Sequence, residues 1–234
     1  MKKILFVVVL MVFVLSACGT PSTPLSVSTS TSVPAPTQTP LPLPTDTPTS
    51  VPPTPTITPF PTVTISNADG LLAEILSRGT IVISTDPDFQ PQSFRNPAGQ
   101  RPADTKCASD QLTSAELQGF DIDVSNQIGL RLGVELCFAT PNFHAVEAGN
   151  WDNKWDISVG SLRITPERMK VLAFTTPYYY ENGTTALGIA IDYGHTLPIK
   201  TLRATLNQIV DDMHKDGTLS ALSTQWFGKD LTTK

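Results

Sequence analysis

The stretch KWDISVGSLRITPERMKVLAFTTPYYY, residues 154–180, decides how this chain folds. WDISVGS (155–161) reads as a strand, and the polar segment GSLRIT (160–165) leaves its carboxyl end. TPERMKVL (165–172) then starts a helix, with Thr165 as N-cap and Pro166 at the first helical position. Arg163, Arg168 and Lys170 crowd this segment although the chain carries a net charge of −5. Arg168 falls in the first helical turn, where a cation opposes the positive end of the helix dipole. That placement makes sense if an anion sits there. A first turn offers free N–H groups, and a guanidinium adds a planar fork that takes a carboxylate in two hydrogen bonds. The competing reading is a solvated Arg168 paired with Glu167 or Asp156.

Outward from this stretch, helices and strands alternate. DGLLAEILSRG (69–79) is a short amphipathic helix with Leu71, Leu72, Ile75 and Leu76 on one face and Gly79 as its stop. TIVIST (80–85) is a buried strand by its β-branched content. Residues 86–116 hold Pro, Gly and Asp throughout and read as a long loop. GFDIDVSNQIGLRLG (119–133) is a helix spaced by Phe120, Val124, Ile128 and Leu132, VELCFAT (134–140) a strand, and NFHAVEAG (142–149) a short helix or turn. TALGIAI (185–191) is a strand. The helices at 199–217 and 218–228 follow, the first striped by Leu202, Leu206, Ile209 and Met213. This alternation predicts an α/β fold with a mostly parallel sheet and helices on both faces. Ligands in such sheets lie outside the carboxyl ends of the strands. Two loops leave such ends, STDPDFQPQSF (84–94) and GSLRIT, so a site is sought between them.

The amino-terminal residues are of a different kind. Lys2 and Lys3 precede an apolar run from Ile4 to Leu15. That run is shorter than the roughly 20 residues needed to span a bilayer and suits an export signal. LSAC (15–18) resembles a bacterial lipobox. The resemblance implies a signal peptide over 1–17, lipidation of Cys18 and attachment to the outer face of the membrane. The alternative is an ordinary secretory signal with an incidental cysteine. Cleavage would take the net charge from −5 to −7 by removing Lys2 and Lys3. Residues 18–66 are dominated by Thr, Ser, Pro and Val, with Asp46 the one charge. Such chain cannot repay the entropy of folding and reads as a disordered spacer. It extends about 3.1 Å per residue where it is polyproline II, and it permits O-glycosylation.

Residues 67–234 are enough for one domain with a real core. The acidic balance and the lack of a basic tract exclude nucleic acid as partner. Cys107 and Cys137 favour a disulfide over two buried thiols in an exported chain. Such a bridge would contribute about 3–4 kcal/mol by loop closure. His144, His195 and His214 are scattered without metal-ligand spacing, and Asp86 and Asp88 lack the calcium-loop pattern. No nucleophile–base pair stands out. A binding protein without metal or cofactor is expected rather than an enzyme.

GTIVISTDPDFQPQSF (79–94), GFDIDVSNQIGLRLGVELCF (119–138), the opening stretch and LSTQWFG (222–228) together resemble the family 3 extracellular solute-binding proteins. These are receptors of polar amino acid ABC importers. TPER…F…PYY is the specific signature; the shorter pieces are weak alone. The resemblance implies a type II periplasmic binding protein, with an amino acid or related carboxylate in a cleft and an ABC permease as partner. It places the ligand's α-carboxylate on Arg168, and it brings Ser161 and Arg163 to the ligand. Arg163 stands where Thr or Ser is usual. It adds a second cation that favours an acidic or doubly anionic ligand, or else it faces solvent. Asp86 and Phe89 match an acid and an aromatic after the first strand, and Phe143 matches a second aromatic. As residues alone, the two phenylalanines suit a core equally well and Asp86 a turn cap.

The chain departs from the family after PYY. Members enter a second lobe there and return on a strand resembling GIAI, whereas here only YENGTTALG (180–188) intervenes. The expectation is lobe 1 alone over 67–234. The former hinge strands become an antiparallel pair at 174–191 turned at Asn182-Gly183, with carboxyl-terminal helices at 199–228. The family's acid for the ligand ammonium would leave with the second lobe, and Asp192 is a poor substitute. Three roles compete: the binding component of an importer, a docking module, and an internally deleted, transport-incompetent receptor.

Overall fold

The computed structural model describes Ile65 and residues 67–234; the expected signal peptide, Cys18 and the rest of the spacer lie outside the described residues. Helix α1 (Gly70–Arg78) buries Leu71, Leu72 and Ile75 and stops at Gly79, whose left-handed backbone returns an N–H to Ile75. Strand β1 (Thr80–Ser84) follows directly. The expected long loop contains short strands instead: β2 (Asp88–Phe89), β3 (Ser93–Arg95), β4 (Leu112–Thr113) and β5 (Leu117–Gln118). Three of them, β2, β3 and β5, form a small sheet of their own. Strands of two or three residues carry no readable alternation. Cys107 and Cys137 are joined in a disulfide, with Cα atoms 5.2 Å apart, which ties this region to the main sheet.

Helix α2 (Phe120–Leu132) ends at left-handed Gly133. Then come β6 (Glu135–Ala139), the short helix α3 (Phe143–Glu147) and β7 (Ile157–Ser158), a shorter strand than 155–161. The helix expected at 165–172 is replaced. A single 3-10 turn spans Arg168–Lys170, and β8 (Leu172–Phe174) begins at once. The antiparallel region at 174–191 divides in two. β9 (Tyr179–Glu181) pairs with β10 (Thr185–Leu187) in a hairpin, and β11 (Ala190–Asp192) pairs with β8. Asn182 and Gly183 both take positive φ, as the tight turn requires. Helices α4 (Lys200–Lys215) and α5 (Thr218–Phe227) close the described chain.

The main sheet runs β4-β6-β1-β7-β11-β8. β1 is parallel to both β6 and β7, while the pairings β4–β6, β7–β11 and β11–β8 are antiparallel. Four of the six strands therefore point the same way, so the sheet is mixed but mostly parallel in direction. The two faces are covered unequally. Ile81, Ile83, Ile157 and Ile191 join the side chains of α1, α2, α4 and α5 in one large cluster. Val82, Leu172, Phe174 and Ala190 meet Val146 of α3 with Trp151 and Trp155 in a smaller one. The carboxyl ends of β1, β6 and β7 lead to residues that border a cavity.

Candidate functional site

Asp86 follows β1, Phe143 follows β6 at the start of α3, and Gly160 and Ser161 follow β7. These ends converge because the three strands are parallel neighbours. They border a cavity of about 340 Å³ lined by Asp86, Phe89, Phe143, Ser161, Arg163 and Arg168, together with Gln92, Gly160, Tyr179, Glu181 and Leu187. All six residues named from sequence thus share one cavity. Of the others, Tyr179 belongs to the PYY signature, whereas Gln92, Glu181 and Leu187 gave no signal. Gln92 arrives with the small sheet, whose β3–β5 pairing is long-range, and Glu181 and Leu187 with the β9–β10 hairpin.

The floor is a closed polar network. Asp121, fully buried at the start of α2, accepts from the Tyr178 hydroxyl and from Ser161 Oγ, both at 2.8 Å. Tyr179 donates its hydroxyl proton to Ser161 Oγ at 2.6 Å, and the Ser161 N–H donates to the Tyr178 oxygen at 3.1 Å. Ser161 adopts a φ of 53°, in the left-handed region, and the network holds it there. Burial pushes the Asp121 carboxyl up to about 7, against hydrogen bonds from Tyr178 and Ser161 that pull it down. Burial likewise raises the Tyr178 and Tyr179 hydroxyls, with Asp121's charge adding to the effect.

The rim carries the charges. Arg168 sits in the 3-10 turn, so the dipole argument made for it does not apply; Thr165 Oγ1 merely accepts its N–H at 3.3 Å. Its Nη2 donates to Glu147 Oε2 at 2.7 Å and its Nη1 to the Arg163 carbonyl at 3.0 Å. The guanidinium lies 5.4 Å from the centre of the Phe143 ring, within cation–π range. Its partner is thus neither Glu167 nor Asp156. Asp156 is buried instead against Arg78 and the Val82 N–H. Arg163 is bidentate to Glu181, at 2.8 and 3.0 Å. It is therefore not an uncommitted second cation.

Phe89 and Phe143 are 43% and 45% exposed, which removes them from the core. Asp86 accepts the Asp88 N–H at 2.9 Å, so it caps a turn and also lines the cavity. Asp192 is buried and receives the N–H groups of Asn150, Trp151 and Gly194, so its role is structural. Among the described residues, no group of three or more His, Cys, Asp and Glu is placed to hold a metal. None of the described helices is long and apolar enough to cross a membrane.

Comparison with known proteins adds a family. The model for bacterial extracellular solute-binding proteins, family 3, matches residues 108–229. The chain is similar to ABC transporter arginine-binding protein 1 of Escherichia coli, 29% identical over 107 residues that cover 43% of this chain and 44% of that protein. It is also similar to cyclohexadienyl dehydratase of Pseudomonas aeruginosa, 22% identical over 123 residues, 53% of this chain and 40% of that one. The chain matches between 28% and 44% of the length of these and other curated relatives. Among solved structures, the L-cystine solute receptor of Neisseria gonorrhoeae in its unliganded open conformation superposes with a TM-score of 0.55 at 15% identity. That match covers 70% of this chain and 99% of the receptor, and it is a likeness of fold.

Proposed function

The chain belongs to the bacterial extracellular solute-binding proteins of family 3, and from that premise we propose that it is the lipid-anchored binding component of an amino acid ABC importer. It binds its ligand without bond chemistry, it hands that ligand to a membrane permease, and the lipid sits on Cys18. One observation supports the reading above others: six residues from the three segments that follow β1, β6 and β7, Asp86, Phe89, Phe143, Ser161, Arg163 and Arg168, line one cavity at the strand ends. Arg168 takes the ligand's α-carboxylate, and Phe89 and Phe143 flank its side chain.

The charge balance shapes the ligand. Arg163 and Arg168 are each matched by a glutamate, Glu181 and Glu147. Asp86 is the cavity charge without an ion pair among the described residues. The site therefore favours a zwitterion with a neutral or cationic side chain, in place of the acidic ligand that Arg163 suggested in the sequence. The arginine-binding relative is in keeping with this class.

On this reading the β9–β10 hairpin takes the place of a second lobe, so that no second lobe among the described residues closes over the ligand. Millimolar affinity follows, worth about 4 kcal/mol. The half-exposed aromatics at the cavity mouth also favour a second reading, a docking module in which a protein partner covers Phe89 and Phe143. Thermal unfolding of the purified chain against the common amino acids and dicarboxylates separates the two. Ligand at about ten times Kd adds about 1.4 kcal/mol. A shift that disappears in Arg168→Ala is expected. No shift with any of them, in a folded protein, overturns the receptor reading.

A further inference from the structure

We propose that Glu147 is a tethered rival of the ligand's carboxylate, pairing with Arg168 and releasing it only when an amino acid takes its place. The inference rests on the reading of Arg168 as the carboxylate clamp. Glu147 ends α3, and its Oε2 lies 2.7 Å from Arg168 Nη2. This contact has the chemistry and the distance of the one an amino acid would make.

The surroundings give the contact its direction. Arg168 borders two adjoining depressions, the cavity of about 340 Å³ and a more open one of about 390 Å³ that includes Thr165 and Glu167. Glu147 lines only the second, so it draws the guanidinium outward. Phe143, in the same short helix, lies beneath the guanidinium and limits where it can go. The hydrogen bonds from Arg168 and from exposed His144 hold the Glu147 carboxyl below the usual carboxylate range, so the rival is charged at neutral pH.

Two consequences follow. An incoming carboxylate meets a guanidinium already engaged and a nearby negative charge, so acidic ligands suffer most. Ligands lacking a carboxylate gain nothing from removing Glu147. The pair Arg163–Glu181 repeats the arrangement at the neighbouring arginine, whose carbonyl accepts from Arg168, so both cavity arginines are countered from within the chain.

The experiment is calorimetric titration of the purified chain and its Glu147→Gln variant at one pH and salt. The probes are the common L-amino acids, each beside its decarboxylated amine (agmatine for L-arginine, histamine for L-histidine). Glu147→Gln is expected to bind amino acids about fivefold tighter, as for one partly exposed ion pair, and to leave the amines unchanged. Glu147→Asp keeps the charge but withdraws it by one methylene; an intermediate gain is expected, which guards against a misfolded first variant. Equal or weaker amino acid binding by both variants, with the parent chain binding normally, overturns the rival and leaves the clamp in place. Binding untouched by Arg168→Gln, or no binding by any of the proteins, overturns the clamp and the rival together.

Discussion

The floor and the rim of the cavity are built from the same kinds of polar side chain and behave differently. On the floor, Asp121 and Tyr178 are fully buried, and Tyr179 and Ser161 complete their hydrogen bonds at the cavity surface. On the rim, Arg163–Glu181 and Arg168–Glu147 are paired at comparable distances but stand in or near solvent. A buried polar group that loses its partner bears its full desolvation cost, whereas an exposed pair exchanges partners with water at little cost. The floor therefore fixes shape, including the left-handed backbone of Ser161, and the rim remains free to trade one carboxylate for another.

The largest effects should come from breaking the floor. Asp121→Ala strands the Tyr178 hydroxyl and Ser161 Oγ at once; a loss of about 2–4 kcal/mol is expected in denaturant unfolding. Tyr178→Phe removes one donor to Asp121 and the acceptor of the Ser161 N–H, and should cost about 1–3 kcal/mol. A Tyr178→Phe protein as stable as the parent would dissolve the distinction between floor and rim.

The two regions also differ in the sign of their pH dependence. Asp121's carboxyl is raised to about 7 by burial, far above its unfolded value. Its contribution is then fully present at low pH and is lost as pH rises through about 7. Glu147 is lowered by Arg168 and His144, so its contribution is present above the ordinary carboxylate range and is lost as pH falls. Stability curves of the parent minus Asp121→Asn, and of the parent minus Glu147→Gln, should slope in opposite directions over the acid range. Slopes of the same sign would show that one of the two environments is misassigned. The smallest effect belongs to Glu181→Gln. Unfolding should change by less than about 1 kcal/mol, because Arg163 and Glu181 are both exposed.

The sequence was most legible where a repeating apolar pattern meets a large core. The stripes of α2 and α4 and the β-branched run of β1 are examples, and their bounds differ from the expected ones by a residue or two. The strand-end loops pointed to the cavity for the same reason: parallel strands carry their carboxyl ends to one side. What escaped was set by tertiary pairing. The strands between Asp88 and Gln118 are too short to show a period. Thr165 and Pro166 promised a helix, but the chain must enter β8 by Leu172, which leaves room for one 3-10 turn. Neither glutamate partner was visible, since Glu147 and Glu181 lie 21 and 18 residues from the arginines they meet. Arg163 therefore promised more free positive charge than the folded site holds.

The most direct test of the account is a calorimetric titration of the parent chain and Arg168→Ala with the common L-amino acids. Millimolar binding of a neutral or cationic amino acid is expected, reduced at least about tenfold in the variant, as for loss of a charge-assisted pair. Equal binding by both proteins, or nanomolar affinity in the parent chain as a monomer, would contradict it.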